Sequence, residues 1–178
     1  MLKPQDVMIV LKIVAMHQRE WKYNEAALEL HMSPSEVHAG VKRLKKCCLL
    51  NEMTMGFGTV ETKLHLPDIE NIKEFLQHGL RYVFPTVTTE PVSGLPTSYG
   101  VVHLFEGYHS ENSYIPVWEH NVGDYMGVGV KPLYKSAPKA CMDDFQFYEL
   151  MSLAEALRSS DDKLHGYAWQ KMNIMLGA

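Results

Sequence analysis

Apolar residues recur at helical spacing in the first part of the chain and predict a helix from Pro4 to about His17. Proline suits the first helical position because its missing N–H is not needed there, and Asp6 complements the helix dipole in the first turn. The helix is apolar on more than one face, so we expect it to be buried or to lie partly in a dimer interface. Its apolar positions are Val7, Met8, Ile9, Val10, Leu11, Ile13 and Val14.

Two further helices are predicted before residue 50. Asn24 is a suitable N-cap for a short helix from Glu25 to Leu30. The stretch Ser33-Pro34-Ser35-Glu36 is a capping box with proline at the first helical position: the serine oxygen accepts the N3 amide, and Glu36 reaches back to the cap. This box predicts a third helix from Ser33 to Lys46.

The third helix has two different faces. Its apolar side chains fall in a narrow stripe, and its opposite side is polar and basic. A short helix, a tight turn and a capped helix with a basic outer face are typical of a helix-turn-helix, whose second helix enters the major groove of DNA. The alternative is a solvated surface helix, which is the commonest outcome of such a pattern. The apolar stripe is Val37, Val41, Leu44 and Cys48; the outer side carries Ser35, His38, Ala39, Lys42, Lys45 and Lys46.

The segment from Met53 to Leu66 alternates between apolar and polar residues and carries Gly56 and Gly58 as turn formers, so it predicts a β-hairpin in the position of a wing. We expect residues early in the third helix to meet base edges, and its later cations to lie near phosphates. The predicted DNA contacts are Lys22, Tyr23, Ser33, Ser35, His38, Ala39, Lys42, Arg43, Lys45, Lys46 and Lys63.

The distribution of charge restricts where DNA could bind. The chain has a formal net charge of −4, so it has no global basic excess, and its 46% hydrophobic residues are ample for a buried core. Residues 1–80 carry ten Lys/Arg and ten Asp/Glu, whereas residues 81–178 carry seven and eleven and hold the whole acidic excess. Any nucleic-acid site must therefore be local. The candidate is the stretch 31–50, where four Lys/Arg stand against the single acid Glu36.

Residues 2–50 resemble the winged helix-turn-helix domains of MarR-like bacterial regulators, notably in WKYNEAA at 21–27 and LHMSPSEVH at 30–38. A longer resemblance is to a group of bacterial proteins of this length that carry an HG-[LV]-[RK]-YVFP run, here EFLQHGLRYVFP at 74–85, followed by KPLY at 131–134 and YEL at 148–150. The chain departs from the pattern in Cys47-Cys48 and in a longer segment at 51–65. The resemblance implies a transcriptional regulator or an antitoxin-like repressor, as a dimer.

The remainder predicts a mixed, mainly helical domain, so the expected fold class is α+β. We divide the chain into a winged helix-turn-helix (1–66), a connecting helix (67–80) and a dimerisation or partner-binding domain (81–178). The predicted elements are a helix Ile69 to Gln77 closed by Gly79, a short strand Arg81 to Phe84, a turn-rich stretch Thr86 to Gly100, short strands and loops from Val101 to Tyr134, and helices Ser136 to Met142, Asp143 to Arg158 and Asp161 to Leu176.

The sequence offers weak candidates for ligand, metal and catalytic sites. The second half of the chain is rich in aromatic residues. Such residues fill a core more often than they line an effector pocket. The histidine and cysteine spacings fit no metal-ligand pattern, no triad is recognisable, and Gly127-Val128-Gly129 lacks the third glycine of a dinucleotide site. We therefore expect no enzyme activity, metal or cofactor. The candidates are Tyr114, Trp118 and Tyr134 for an effector; His103, His109 and His120 with Cys47, Cys48 or Cys141 for a metal; and Cys141 or Ser110 beside His109 for a nucleophile.

Cysteine usage and hydropathy predict a cytoplasmic protein. Two of the three cysteines are adjacent and bridge poorly, so no disulfide framework is expected. The apolar stretch 7–16 is interrupted by Lys12, is too short to cross a bilayer and lacks the features of a cleaved leader.

Two functions from different classes fit these features. The leading one is a dimeric regulator that reads a palindromic DNA site through the third helix. The alternative is an antitoxin-like interaction module whose acidic half binds and neutralises a toxin-like partner protein, since a fold by itself assigns no function.

Overall fold

The computed structural model of the chain describes residues 1–16, 21–57, 60–110, 114–121 and 123–177, with the backbone alone at 55–57 and 60–62. Within these ranges the protein is α+β. Three N-terminal helices and a two-stranded hairpin are followed by a helical connection, a mixed sheet and C-terminal helices. The predicted α+β class is confirmed at this level.

The N-terminal helices are α1 (Pro4–Ala15), α2 (Tyr23–Glu29) and α3 (Pro34–Lys46). Helix α1 is buried along nearly its whole length, as expected for a helix that is apolar on several faces. The predicted end of α1, His17, lies outside the described residues. Helix α2 begins at Tyr23 with Lys22 as N-cap, so the predicted start at Glu25 is wrong and Asn24 lies inside the helix. The ring of Tyr23 packs against neighbouring aromatic residues, which extends the helix past the cap that local sequence favours.

Helix α3 crosses α1 closely. A Cβ atom at Gly40 would collide with the end of the Ile9 side chain, so a larger residue at this position would force Ile9 to move. The apolar side chains of α3 are buried as predicted, except for Cys48. The helix ends before Cys48, which adopts a positive φ of 58°, and the N–H of Leu49 donates to the carbonyl of Leu44 (3.0 Å) in a Schellman-type turn. This turn directs Cys48 away from the apolar stripe.

The hairpin consists of β1 (Leu50–Phe57) and β2 (Val60–Pro67), antiparallel and in continuous register. Glu52 lies directly opposite His65, and Thr54 lies opposite Lys63. The hairpin was predicted from alternation of apolar and polar residues, and it is confirmed. Of its two expected turn formers, Gly56 instead lies within β1, opposite Glu61, and Gly58 lies outside the described residues.

The connection to the second half is helical for longer than predicted. It runs through α4 (Ile69–Glu74), a π-helical turn (Phe75–Gly79) and α5 (Leu80–Val83), so Gly79 does not close the helix and Arg81 to Phe84 is not a strand. The buried side chains Ile72, Leu76 and Leu80 recur every four residues, and burying this stripe favours continuous helix across Gly79.

Three strands form a closed mixed sheet: β3 (Thr88–Pro96), β4 (Pro116–Glu119) and β5 (Tyr125–Val130). Strand β3 pairs antiparallel with both others, and β4 pairs parallel with β5. The predicted turn-rich stretch Thr86 to Gly100 is therefore wrong over most of its length. Pro91 and Gly94 are accommodated within β3: Pro91 follows a bulge, and Gly94 allows the backbone of Trp118 to approach.

The C-terminal helices are α6 (Ala137–Met142), α7 (Phe145–Leu157) and α8 (Asp162–Gly177), close to the three predicted ones. Helix α7 is buried over most of its length and packs on α1, α6 and α8, so buried side chains of both halves form one continuous core. Lys12 of α1 is only 2% exposed and forms ion pairs of 2.7 Å with Glu29 and Asp144. Among the described residues, no helix has the length and apolar character that a bilayer span needs.

Arg158, at the end of α7, joins segments that are distant in sequence. It forms an ion pair with Glu155, whose carboxylate also accepts a hydrogen bond from the N–H of Leu133 (3.1 Å), and all three groups are buried. The guanidinium also donates to the backbone oxygens of Phe84 (2.7 Å), Pro85 (3.0 Å) and Lys131 (3.3 Å). Both distinctive runs, at 74–85 and 131–134, thus contact α7.

Candidate nucleic-acid interface

The N-terminus of α3 has the predicted capping box. The Ser33 oxygen accepts a hydrogen bond from the N–H of Glu36 (3.3 Å), and the Glu36 carboxylate accepts one from the N–H of Ser33 (2.9 Å). Tyr134 of the second half donates its hydroxyl to the same carboxylate (2.6 Å). The hydrogen bonds from Tyr134 and Ser33 lower the pKa of Glu36 to about 2. The Glu36 carboxylate therefore stays ionised and hydrogen bonded at the N-terminus of α3.

The turn between α2 and α3 is short and is stabilised by hydrogen bonds. His31 adopts a positive φ of 51°, and the N–H of Met32 donates to the carbonyl of Ala27 (2.9 Å). The hydroxyl of Ser136, from the second half, donates to the carbonyl of Leu30 (2.7 Å). The second half therefore braces the turn and the beginning of α3 from the side.

The outward face of α3 is open. We define the outer stripe as Ser35, His38, Ala39, Lys42 and Lys46; all of these are exposed except Ala39, which is half-buried. Neither Lys42 nor Lys46 has an ion-pair partner among the residues that the structure describes. Lys22 is exposed as well, at the N-cap of α2. The outer stripe thus presents polar and cationic side chains that a ligand can reach.

Arg43 does not belong to this surface in the way the sequence predicted. Its Nε and Nη2 atoms donate to the two carboxylate oxygens of Asp6, each over 2.7 Å, and Asp6 is fully buried. The carboxylate of Asp6 also accepts the N–H of Lys3 (2.8 Å). The Arg43 side chain, 21% exposed, therefore ties α3 to α1 instead of pointing at a phosphate. Burying an unpaired carboxylate costs free energy, and the cation of Arg43 offsets that cost.

Lys45 and Lys63 also have an internal partner, which the sequence did not predict. Lys45, on the side of α3 that faces the hairpin, pairs with Glu52 of β1. Lys63 of β2 pairs with the other oxygen of the same carboxylate over 3.1 Å. The two lysines lower the pKa of Glu52 to about 2. Glu52 thus joins the third helix to both strands of the hairpin.

An aromatic cluster supports the same side of the outer stripe. The hydroxyl of Tyr23 and Nε2 of His65 are 2.8 Å apart and hydrogen bonded, and Tyr23 packs edge-on against His38 with ring centroids 5.1 Å apart. Trp21 packs edge-on against Tyr23. Burial, followed by the charge of Lys45, lowers the pKa of His65, which favours the neutral ring. His65 belongs to β2 and Tyr23 to α2, so only the folded chain brings the two side chains together.

The other candidate residues are not brought into one site. Trp118 is buried beside Tyr148, Tyr114 is exposed, and Tyr134 contacts α3. The three proposed effector residues therefore do not line a common pocket. Within the described ranges, no group of three or more His, Cys, Asp or Glu side chains converges as a metal site would require. His103 pairs with Glu149 (2.7 Å). Cys141 is buried, and burial raises the pKa of its thiol, which disfavours the nucleophilic thiolate.

An open cleft of about 500 Å³ lies between the end of α3 and the π-helical turn. Both exposed cysteines, Cys47 and Cys48, line it together with Phe75 and His78. It is separate from the outer stripe.

Comparison of the chain with protein-family models, with curated proteins and with solved structures finds no match. The resemblance of residues 2–50 to MarR-like regulators therefore stays a prediction.

Proposed function

We propose that residues 4–67 form a winged helix-turn-helix that binds duplex DNA through the outer stripe of α3, and that the protein is a transcriptional regulator. The observation that carries this proposal is the exposure of Ser35, His38, Lys42 and Lys46 on one side of a capped helix. The opposite side of α3 is buried against α1, so the stripe has a fixed direction.

The dimensions of α3 fit this function. Its 13 residues span about 20 Å at 1.5 Å per residue, and a helix of that size can enter a major groove about 12 Å wide. The short turn and the bracing by Ser136 and Tyr134 keep its N-terminal end in place. A rigid helix is a better base for recognition than a loop, because the side chains keep their relative positions.

We assign different roles to the residues of the outer stripe. Lys42 and Lys46 bind backbone phosphates, which supply affinity without regard to sequence. Ser35 and His38 lie nearer the N-terminus of α3 and meet base edges, which supply specificity. The ring of His38 is oriented by Tyr23, so fewer conformations are lost when it makes a contact.

The proposal is tested by fluorescence anisotropy with a labelled duplex, selected from a random-sequence library against the full chain. We expect the double variant Lys42→Ala, Lys46→Ala to bind more weakly and with a shallower salt dependence. Loss of two phosphate contacts should reduce the slope of log Kobs against log salt by about 1.8. The thermal stability should hardly change, because both side chains are exposed.

A matched control is Lys139→Ala, Lys163→Ala, which removes the same charge from exposed positions of the second half. This control should leave the salt slope unchanged. The proposal is wrong if the wild type selects no duplex, or if the control weakens binding as much as the α3 variant does.

A second candidate, recognition of a protein partner, is supported by exposed apolar side chains in the acidic half. Tyr82 (73% exposed), Val102 (76%) and Ile174 (69%) are large side chains left in contact with solvent. We propose that this half forms the dimer, and that an antitoxin-like protein would use it for its partner. Sedimentation equilibrium of the full chain, with and without Ile174→Glu and Tyr82→Glu, tests the dimer: a wild type that stays monomeric at about 0.1 mM contradicts it.

A further inference from the structure

We propose that Lys45 and Lys63 form a phosphate-binding site which Glu52 occupies in the free protein, and that a backbone phosphate of DNA replaces the Glu52 carboxylate on binding. This inference rests on the proposed function and adds a site to it. Glu52 thereby acts as an internal competitor that keeps these two lysines neutralised until DNA is bound.

The convergence of two lysines on one carboxylate defines the site. Lys45 contacts one oxygen of Glu52, and Lys63 contacts the other over 3.1 Å. The two cations come from different elements, α3 and β2, and meet at β1. A carboxylate and a phosphodiester offer the same kind of acceptor, an anionic oxygen pair that takes charge-assisted hydrogen bonds from ammonium groups.

Across the hairpin, Glu52 faces His65. Nδ1 of His65 lies 3.8 Å from the carboxylate, too far for a hydrogen bond but on the same side of the hairpin. No second carboxylate pairs with Lys45 or Lys63 among the described residues. Among the described side chains, removing Glu52 would therefore leave the two lysines without a carboxylate partner.

Exchange of the carboxylate for a phosphate is feasible because the site is open to solvent. The side chain of Lys63 is 60% exposed, and those of Lys45 and Glu52 are 35% and 25% exposed. Ion pairs in water are weak, so the internal pairs do not lock the lysines. The site also lies beside Lys42 and Lys46 along α3, so it continues the proposed DNA surface toward the hairpin.

The test compares duplex binding by the full-length wild type and by Glu52→Gln, using a random-sequence duplex at several salt concentrations. If Glu52 competes with phosphate, Glu52→Gln binds about three- to tenfold more tightly at low salt, and the salt slope steepens by about 0.9, which is one phosphate. If Glu52 is only a clamp that positions the hairpin, the same variant binds more weakly. The sign of the change therefore decides between the two roles.

Two further comparisons separate this site from a general effect of charge. Glu90→Gln removes one negative charge from an exposed position of β3 and should change affinity less than twofold. In a Lys45→Gln, Lys63→Gln background, Glu52→Gln should no longer strengthen binding, because the site has lost its cations. A gain that persists in that background, or an equal gain from Glu90→Gln, overturns the proposal.

Inorganic phosphate distinguishes a free anion from DNA as the occupant. Backbone amide shifts of β1 and β2 in Glu52→Gln are followed by NMR during titration with millimolar phosphate. Phosphate binding with no gain in duplex affinity would overturn the assignment to DNA. If the wild type binds duplex and Lys42→Ala, Lys46→Ala weakens it, but Glu52→Gln changes nothing, this inference falls while the proposed function stands. If the wild type binds no duplex, the proposed function falls as well.

Discussion

Two arginines in different parts of the molecule neutralise buried carboxylates, and their surroundings differ. In the N-terminal part, Arg43 holds Asp6 with both ends of its guanidinium and stays partly exposed at the edge of α3. In the second half, Arg158 holds Glu155 from inside the core and also binds three backbone oxygens.

Besides the arginine, helices α3 and α7 differ in whether they carry other basic side chains that remain exposed to solvent. In the second half the charge of Arg158 is used entirely for architecture, since it joins α7 to two distant segments. In the N-terminal part Arg43 fixes α3 to α1 from the flank, and Lys42 and Lys46 remain open on the outer stripe. Helix α3 thus uses one cation for stability and leaves two others exposed to solvent. Substitutions at the two arginines test this division.

The largest effect is expected for Arg158→Met. This change leaves the buried Glu155 without its cation and several backbone oxygens without a donor, so the free energy of unfolding should fall by about 3–5 kcal/mol. Urea denaturation of the full chain measures it. Lys139→Met, at an exposed position of α6, serves as control and should change the stability by less than about 0.5 kcal/mol. A variant within about 1 kcal/mol of the wild type would mean that Glu155 needs no counter-charge.

Arg43→Met should have an intermediate effect. The buried Asp6 loses both guanidinium hydrogen bonds but keeps the one from Lys3, and water can reach the partly exposed site, so we expect a loss of about 1–3 kcal/mol. The duplex affinity of the folded protein should change little. The opposite result, unchanged stability and a tenfold loss of affinity, would show that Arg43 contacts phosphate as the sequence had suggested.

The smallest effect is expected for Glu36, and it depends on pH. Its pKa is lowered from 4.5 to about 2 in the folded chain, so the stability it contributes is present above pH 4.5 and is lost as the pH falls toward 2. Glu36→Gln should therefore be less stable than the wild type at pH 7, by less than about 1 kcal/mol. The difference between the two proteins should shrink toward pH 3. Parallel denaturation curves at pH 7, 5 and 3 measure this, and a difference that grows in acid would contradict it.

The elements that local chemistry determines could be predicted from the sequence. The capping box at Ser33, the buried face of α3 and the alternating hairpin depend on residues close together in the chain, and each is confirmed. The continuation of the helix through Gly79 and the strand β3 could not be predicted this way. They depend on burial of Leu80 and on pairing with β5, both of which need residues far away in sequence.

The candidate site shows the same limit. The outward direction of Lys42 and Lys46 follows from helical periodicity alone. The partners of Arg43, Lys45 and Lys63 do not, because Asp6 and Glu52 belong to other elements and reach them only after the chain folds. The sequence gives the number of basic residues, but only the folded structure shows which of them form internal ion pairs.

Whether DNA binds the outer stripe of α3 can be tested with an NMR map of the full chain as a duplex is added. We expect the largest amide perturbations along α3 at Ser35, His38 and Lys42, with smaller ones at Lys63 of the hairpin and none on α7 or α8. Perturbations confined to residues 81–177, with α3 unchanged at saturating duplex, would contradict it.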